Sequence, residues 1–179
     1  EFRRVLFRSP NLINEFIRGG KTAEAMAYLD QAIANDPSNT CELIGVKASL
    51  YAEQKNYASA EPAYLQAIAA DANCEKALEG LGVLYILQAQ DVKEKAGQTN
   101  SRSEQAQLDK QTADFYQKSL PYLEKYRDLL KARGADFDLD IKPALMKLQN
   151  VYYNLSLLNI DKSAEYEAVQ KELGISDKQ

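Results

Sequence analysis

GGKTAEAMAYLDQAIANDPSN at residues 19–39 and QKNYASAEPAYLQAIAADANC at residues 54–74 are two copies of one pattern, offset by 35 residues. The offset lays Gly20 on Lys55, Ala25 on Ala60, Leu29 on Tyr64, Ala32 on Ala67 and Asp36-Pro37 on Asp71-Ala72. Each copy has small residues where a neighbouring helix must come close, a large apolar residue about one turn later, and a stop. Asp-Pro stops a helix because proline cannot continue one and disfavours helical angles in the residue before it. A period of this length marks a stacked repeat, whose single unit cannot bury its apolar face alone.

The segments that follow the two stops repeat as well. In CELIGVKASLYAEQ (41–54) and EKALEGLGVLYILQ (75–88), Ala48 and Tyr51 align with Gly82 and Tyr85. A small residue followed by Tyr three positions on puts both on one side of a helix. Ala25, Leu29, Ala32 and Asp36-Pro37, together with Leu81, Gly82 and Tyr85, resemble the tetratricopeptide repeat signature. The likeness covers residues 11–87 well and 119–173 more loosely. The Trp usual in the first helix of such a repeat is replaced by Ile44 and Leu78.

The resemblance implies an all-α fold, an α-solenoid of about four antiparallel helix pairs near residues 10–39, 40–74, 75–134 and 135–174. The periodicity predicts helices near 11–18, 22–35, 41–54, 57–70, 75–95, 104–132, 141–158 and 163–173. Ser103 and Asp140 stand where they would cap the starts of the sixth and seventh, and Gly174 where a left-handed cap would end the last. Between Gln88 and Ser119 the chain is too long for a simple hairpin, and its middle, AGQTNSRS, is turn-like. The third pair should therefore extend beyond the array. Residues 119–132 should pack while 104–118 project with 88–98 as a two-helix arm, with a bend near Pro121. A similar extension followed by a segment like SLPYLEKY occurs in tetratricopeptide proteins of Bacteroidota-type bacteria. That resemblance implies the cell envelope or periplasm, with the cytoplasm open.

Composition narrows the chemistry. The chain has no His and no Trp but 11 Tyr. Without His it lacks the commonest general base and transition-metal ligand, so Ser-His-Asp and His-metal sites cannot be assembled from this chain. No cofactor or metal is expected. A net charge of −4 argues against a nucleic-acid partner, and no apolar run approaches the roughly 18 residues of a membrane span. Residues 1–9, EFRRVLFRS, read as a translated cloning or sequencing scar, with a genuine basic arm or the tail of a signal peptide as the alternative. On the scar reading the native start, and any export signal with it, is missing.

In such arrays the first helix of each pair lines a concave face. The register puts Asn14, Ile17 and Arg18 there, then Glu42, Ser49, Ala52 and Glu53, then Lys76, Glu79, Val83, Ile86 and Leu87, and lastly Asn150 and Tyr153. Val83, Ile86 and Leu87 form an apolar strip rimmed by charge, as a bound helix or extended peptide requires; contact with neighbouring helices, the long sixth one included, would explain them equally. One subclass of the family clamps a chaperone's terminal carboxylate. Asn11 and Lys76 match that clamp, but Phe7, Val46 and Gly80 hold its other places and offer no side-chain donor. Asp136, Asp138 and Asp140 lack the Gly and Glu of a calcium loop, since Ile141 and Lys147 stand there. Cys41 and Cys74 start successive first helices. Packed helices lie about 8–10 Å apart axis to axis and a disulfide needs Cα atoms within roughly 7 Å, so a bond requires the helix starts to converge, and the expectation is that the two stay unbonded. The leading functional expectation is a non-enzymatic adaptor for a protein or peptide, gripped by the concave face, the protruding hairpin or both. A self-assembling homo-oligomer is the alternative, and a small-ligand carrier or carboxylate hydrolase a remoter one.

Overall fold

The computed structural model describes residues 21–36 and 39–175. Among these residues seven α-helices follow one another: α1 (Thr22–Asn35), α2 (Thr40–Glu53), α3 (Tyr57–Ala70), α4 (Glu75–Gln98), α5 (Arg102–Ala132), α6 (Lys142–Leu157) and α7 (Ser163–Glu172). A single π-helical turn, Phe137–Ile141, precedes α6. No strand occurs among the described residues. The helices pack as consecutive antiparallel-type pairs, α2 with α3, α4 with α5 and α6 with α7, while α4 also touches α2 across the repeat boundary. The fold is an all-α, tetratricopeptide-like solenoid. The predicted helix 11–18 lies outside the described residues.

Local chemistry sets the helix ends. The Asn56 side chain accepts from the Ser59 N–H at 3.3 Å and starts α3, satisfying one of the orphan donors of a first turn. Gly174 takes φ +71° after α7, and its N–H donates to the Lys171 carbonyl; a side chain would be strained there. Two caps differ from expectation. Ser101, not Ser103, accepts from the Glu104 N–H, so α5 begins two residues early, with Thr99 also bonded to Glu104. Asp136, not Asp140, accepts from the Leu139 N–H at 2.8 Å. That bond opens the π-helical turn, and α6 follows with no side-chain cap of its own.

The core runs along the array in three linked clusters. Ala25, Leu29 and Leu50 join α1 to α2. Ile44, Ala48, Ala60, Tyr64, Ala67, Ala77, Leu81 and Tyr85 join α2, α3 and α4. Leu120, Leu123, Leu145, Leu148, Val151 and Tyr152 join α5 to α6, with Val169 sealing the end from α7. The repeated small residues lie at the closest approaches. Ala25 and Ala60 are wholly buried, and a Cβ on Gly82 would fall 2.6 Å from Leu123. Tyrosines tie one pair to the next: Tyr85 Oη donates to Glu61 at 2.8 Å and Tyr152 Oη to Glu124 at 2.6 Å.

The projecting arm is shorter than the sequence suggests. Thr112, Ala113 and Tyr116 are buried, and Ala113 and Tyr116 belong to the cluster that holds α5 against α6. The segment 104–118 therefore does not project as a whole; its last turns are core. The sequence misleads because small residues share this contact with Tyr116 and Leu120. Ala89, Thr112, Ala113 and Ser119 bring α4 and α5 close, and Thr112 and Ser119 satisfy their hydroxyls on the Leu108 and Tyr116 carbonyls. α5 runs without a break from Arg102 to Ala132, with the exposed Pro121 inside it.

Candidate functional site

Between α2 and α4 a groove of about 290 Å³ opens on the surface formed by the first helices of the pairs. Ser49, Ala52 and Glu53 line it from α2, and Lys76, Glu79, Gly80, Val83, Leu84 and Leu87 from α4. Tyr64, from α3, forms its floor. The residues recur every three or four positions on each helix, so two helical faces converge on one trough. Gly80 makes room for the floor: a Cβ there would stand 2.3 Å from the Tyr64 ring. The Tyr64 and Ser49 hydroxyls lie 2.9 Å apart, and Ser49 also donates to the Gly45 carbonyl at 3.0 Å. Burial raises the Tyr64 phenol above its ordinary range, with the Ser49 bond pulling the other way.

Charge is set unevenly along the rim. Glu79 is paired with Lys147 of α6 at 3.1 Å. Tyr126 sits nearby, its phenol pushed up to about 12 by burial first and by Glu79 next. Lys76, by contrast, has no ion-pair or hydrogen-bond partner among the described residues. The groove thus holds an apolar strip of Ala52, Val83, Leu84 and Leu87, a hydroxyl pair at its base and one uncommitted cation.

Of the residues anticipated on the concave face, Ser49, Ala52, Glu53, Lys76, Glu79, Val83 and Leu87 meet in this groove. Ile86 does not. It is buried with Ala89, Tyr116 and Leu123, because an α4 paired with a 31-residue α5 has a broader buried side than α2 has. Asn150 and Tyr153 are exposed on α6, outside the groove lining, and the Tyr153 ring lies 6.3 Å from that of Tyr166. Glu42 is exposed near the start of α2. Asn14, Ile17 and Arg18, and the clamp positions Phe7 and Asn11, lie outside the described residues. The sequence reading missed Tyr64, Leu84 and Lys147, and placed Gly80 only as a clamp position without a donor. Tyr64 read as a packing residue, which it also is; its size against Gly80 was the available signal.

The two cysteines correct the expectation of unbonded thiols. Cys41 and Cys74 form a disulfide with Cα atoms 6.0 Å apart. Gly45 is the physical reason. One turn beyond Cys41 it lies against Lys76, where a Cβ would be 2.9 Å from Lys76 Cγ. With no side chain there, the start of α2 lies directly against the Lys76 stem at the start of α4.

Elsewhere the carboxylates serve structure. Asp91 accepts from Tyr57 at 2.8 Å and from Lys55 at 3.0 Å, and these two bonds hold its carboxyl below the usual range. Asp136 caps the π-helical turn, Asp138 pairs with Lys142 at 3.2 Å and Asp140 faces Arg133. No group of three or more acidic or Cys side chains able to hold a metal ion occurs among the described residues. No helix among them is long and apolar enough to cross a membrane.

Residues 42–74, the second pair and the entry to α4, match the family described as Tetratricopeptide repeat. Repeats of this type generally mediate protein–protein interaction, and proteins built from them are typically non-enzymatic adaptors. Compared with curated proteins, the chain matches none.

Proposed function

We propose that this protein is a non-enzymatic adaptor that holds a peptide segment of a partner protein in the α2–α4 groove. The observation that carries the reading is the groove's composition: an open apolar strip beside the uncommitted Lys76, over a floor shaped by Tyr64 and Gly80. Val83 and Leu87 are only partly buried, beside the core cluster of Leu81, Leu84 and Tyr85. Apolar side chains kept at a surface trough, with few polar groups, favour a ligand with one apolar anchor and a carboxylate. The absence of His and the structural use of the carboxylates speak against catalysis by a general base in this chain.

Peptide display against the purified chain tests the proposal. Selected peptides should share an apolar residue with Asp or Glu close by. They should lose binding at least about tenfold, the equivalent of roughly 1.4 kcal/mol, to the Val83→Glu variant, and keep it with Leu65→Glu, a change on the exposed side of α3. Equal binding to both variants would sink the reading.

A second reading, self-assembly, is favoured by one feature. Among the described residues, six of the seven exposed large apolar side chains, Phe137, Leu139, Met146, Tyr153, Leu157 and Ile175, fall in the last part of the array, and only Leu65 lies elsewhere, on α3. Light scattering across a concentration series separates the two readings, since a monomer at every concentration removes self-assembly.

A further inference from the structure

The disulfide lies between the two helices that form the groove. Cys41 is in the first turn of α2 and Cys74 is the residue just before α4. At this end the helices touch, through the disulfide and through Gly45 against Lys76. At the other end Ser49, Ala52 and Glu53 stand across the groove from Gly80, Val83 and Leu87. The cross-link spans a sequence separation of 33 residues, and the loop it closes contains all of α2 after its first turn and all of α3. Cys74 is only 2% exposed, packed in the cluster of Ile44, Tyr64 and Ala77, with Cys41 partly buried against the same cluster.

We propose that the Cys41–Cys74 disulfide is a permanent clamp that fixes the opening of the α2–α4 groove, and that the protein works in an oxidising compartment. Forming the bond removes two protons and two electrons from the two thiols. The acceptor is a second disulfide, of an oxidoreductase or a small thiol compound, which leaves as two thiols. Reversal in the folded protein is obstructed at both sulfurs. A thiolate attacking Cys41 must expel Cys74 as an anion into an apolar pocket, where a thiolate is poorly solvated. A thiolate attacking Cys74 has almost no access to it. A disulfide that resists exchange once folded is a structural bond and not a cycling switch, and such bonds form and persist where thiols are not kept reduced. A clamp across one end of the trough leaves the spacing at the other end to the rigid helices. Its consequence for binding rests on the groove being the ligand site proposed above; the existence and mechanical effect of the clamp do not.

The test needs no ligand. The whole chain is produced by secretion into an oxidising medium, denatured without reductant, treated with a maleimide and weighed. The expected result is no label and a mass two hydrogens below that of the dithiol; two readily labelled thiols would overturn the proposal. The oxidised chain is then compared with chain reduced by phosphine in denaturant and refolded under reductant, its two free thiols confirmed by maleimide labelling, and with a Cys41→Ala/Cys74→Ala variant. Loss of the loop constraint should lower Tm by about 10 °C in both, and hydrogen exchange should accelerate in α2 and α3 more than in α6. Unchanged Tm and α2 exchange after reduction would refute the clamp. Loss in the double alanine variant alone would also refute it, since that loss belongs to the missing side chains and not to the bond.

Discussion

The second and third helix pairs share a register and diverge in length. α2 and α3 are each 14 residues, whereas α4 and α5 are 24 and 31. Over the shared length the two pairs use the same devices. A small residue meets a large one across the interface, Gly80 against Tyr64 and Gly82 against Leu123, and a tyrosine hydroxyl is tied down, Tyr64 to Ser49 of its own pair and Tyr85 to Glu61 of the pair before. Beyond that length the third pair changes character. Residues 99–107 are exposed apart from Thr99, and Ala96 is the last buried side chain of α4. The contrast shows that the array's stability resides in the repeat-length contacts, while the distal hairpin is held mainly by its own backbone bonds and by the Ser101 cap.

Leu123→Ala should separate the two regions most sharply. Leu123 is 1% exposed and fills the space over Gly82 where α4, α5 and α6 meet. Its loss opens a cavity that packed neighbours cannot fill, at a cost of about 2–5 kcal/mol. Chemical denaturation should show this as a lower midpoint with an unchanged slope. A loss below about 1 kcal/mol would mean that the α4–α5 contact is not where the third pair derives its stability.

The tyrosines make the next contrast, one of intermediate size. Burial first, and the Asp91 carboxylate second, push the Tyr57 phenol up to about 12, and Tyr126 is pushed as far. Tyr85 and Tyr152 move the same way for the same reason, with Glu61 and Glu124 contributing. A raised pKa means that the folded state prefers the neutral phenol. The stability this supplies is complete below the unfolded value near 10, and it is lost as pH rises from there through about 12. Phenolate absorbance should therefore lag behind that of free tyrosine and rise together with loss of helical circular dichroism. All tyrosines ionising near pH 10 with the helix signal intact would break the comparison.

The smallest effect is expected at the tip of the arm. Replacing residues 97–106 by a short linker leaves Lys93 bonded to Asn154 at 2.8 Å and keeps Ala89, Ala96, Thr112 and Ala113 in place. Stability should change by about 1 kcal/mol or less, as for other changes away from packed contacts. A cooperative loss of the whole array on this deletion would show that the tip belongs to the core.

Much of this architecture was legible from local signals. Asn56 before α3, Asp71 after it and Gly174 after α7 mark ends that depend on one residue's own hydrogen bonds or backbone angle, so the sequence locates them closely. The pairing of Ala25, Ala60 and Gly82 with large neighbours follows from the repeat itself, because each unit meets the next in the same register. The groove was partly legible for the same reason: Ser49, Ala52, Lys76, Glu79, Val83 and Leu87 follow from helical periodicity once the facing side is chosen. Three features were decided only in three dimensions. Ile86 faces inward because the long α5 covers it. Thr112, Ala113 and Tyr116 join the core because small residues at 89, 112, 113 and 119 let two helices approach closely around the one large ring. Cys41 meets Cys74 because the starts of α2 and α4 converge, with Gly45 packed against the Lys76 stem beside them. In each case the deciding quantity is the distance between two helices, set by pairs of residues far apart in the chain, and a helical period read along one segment carries no information about that distance.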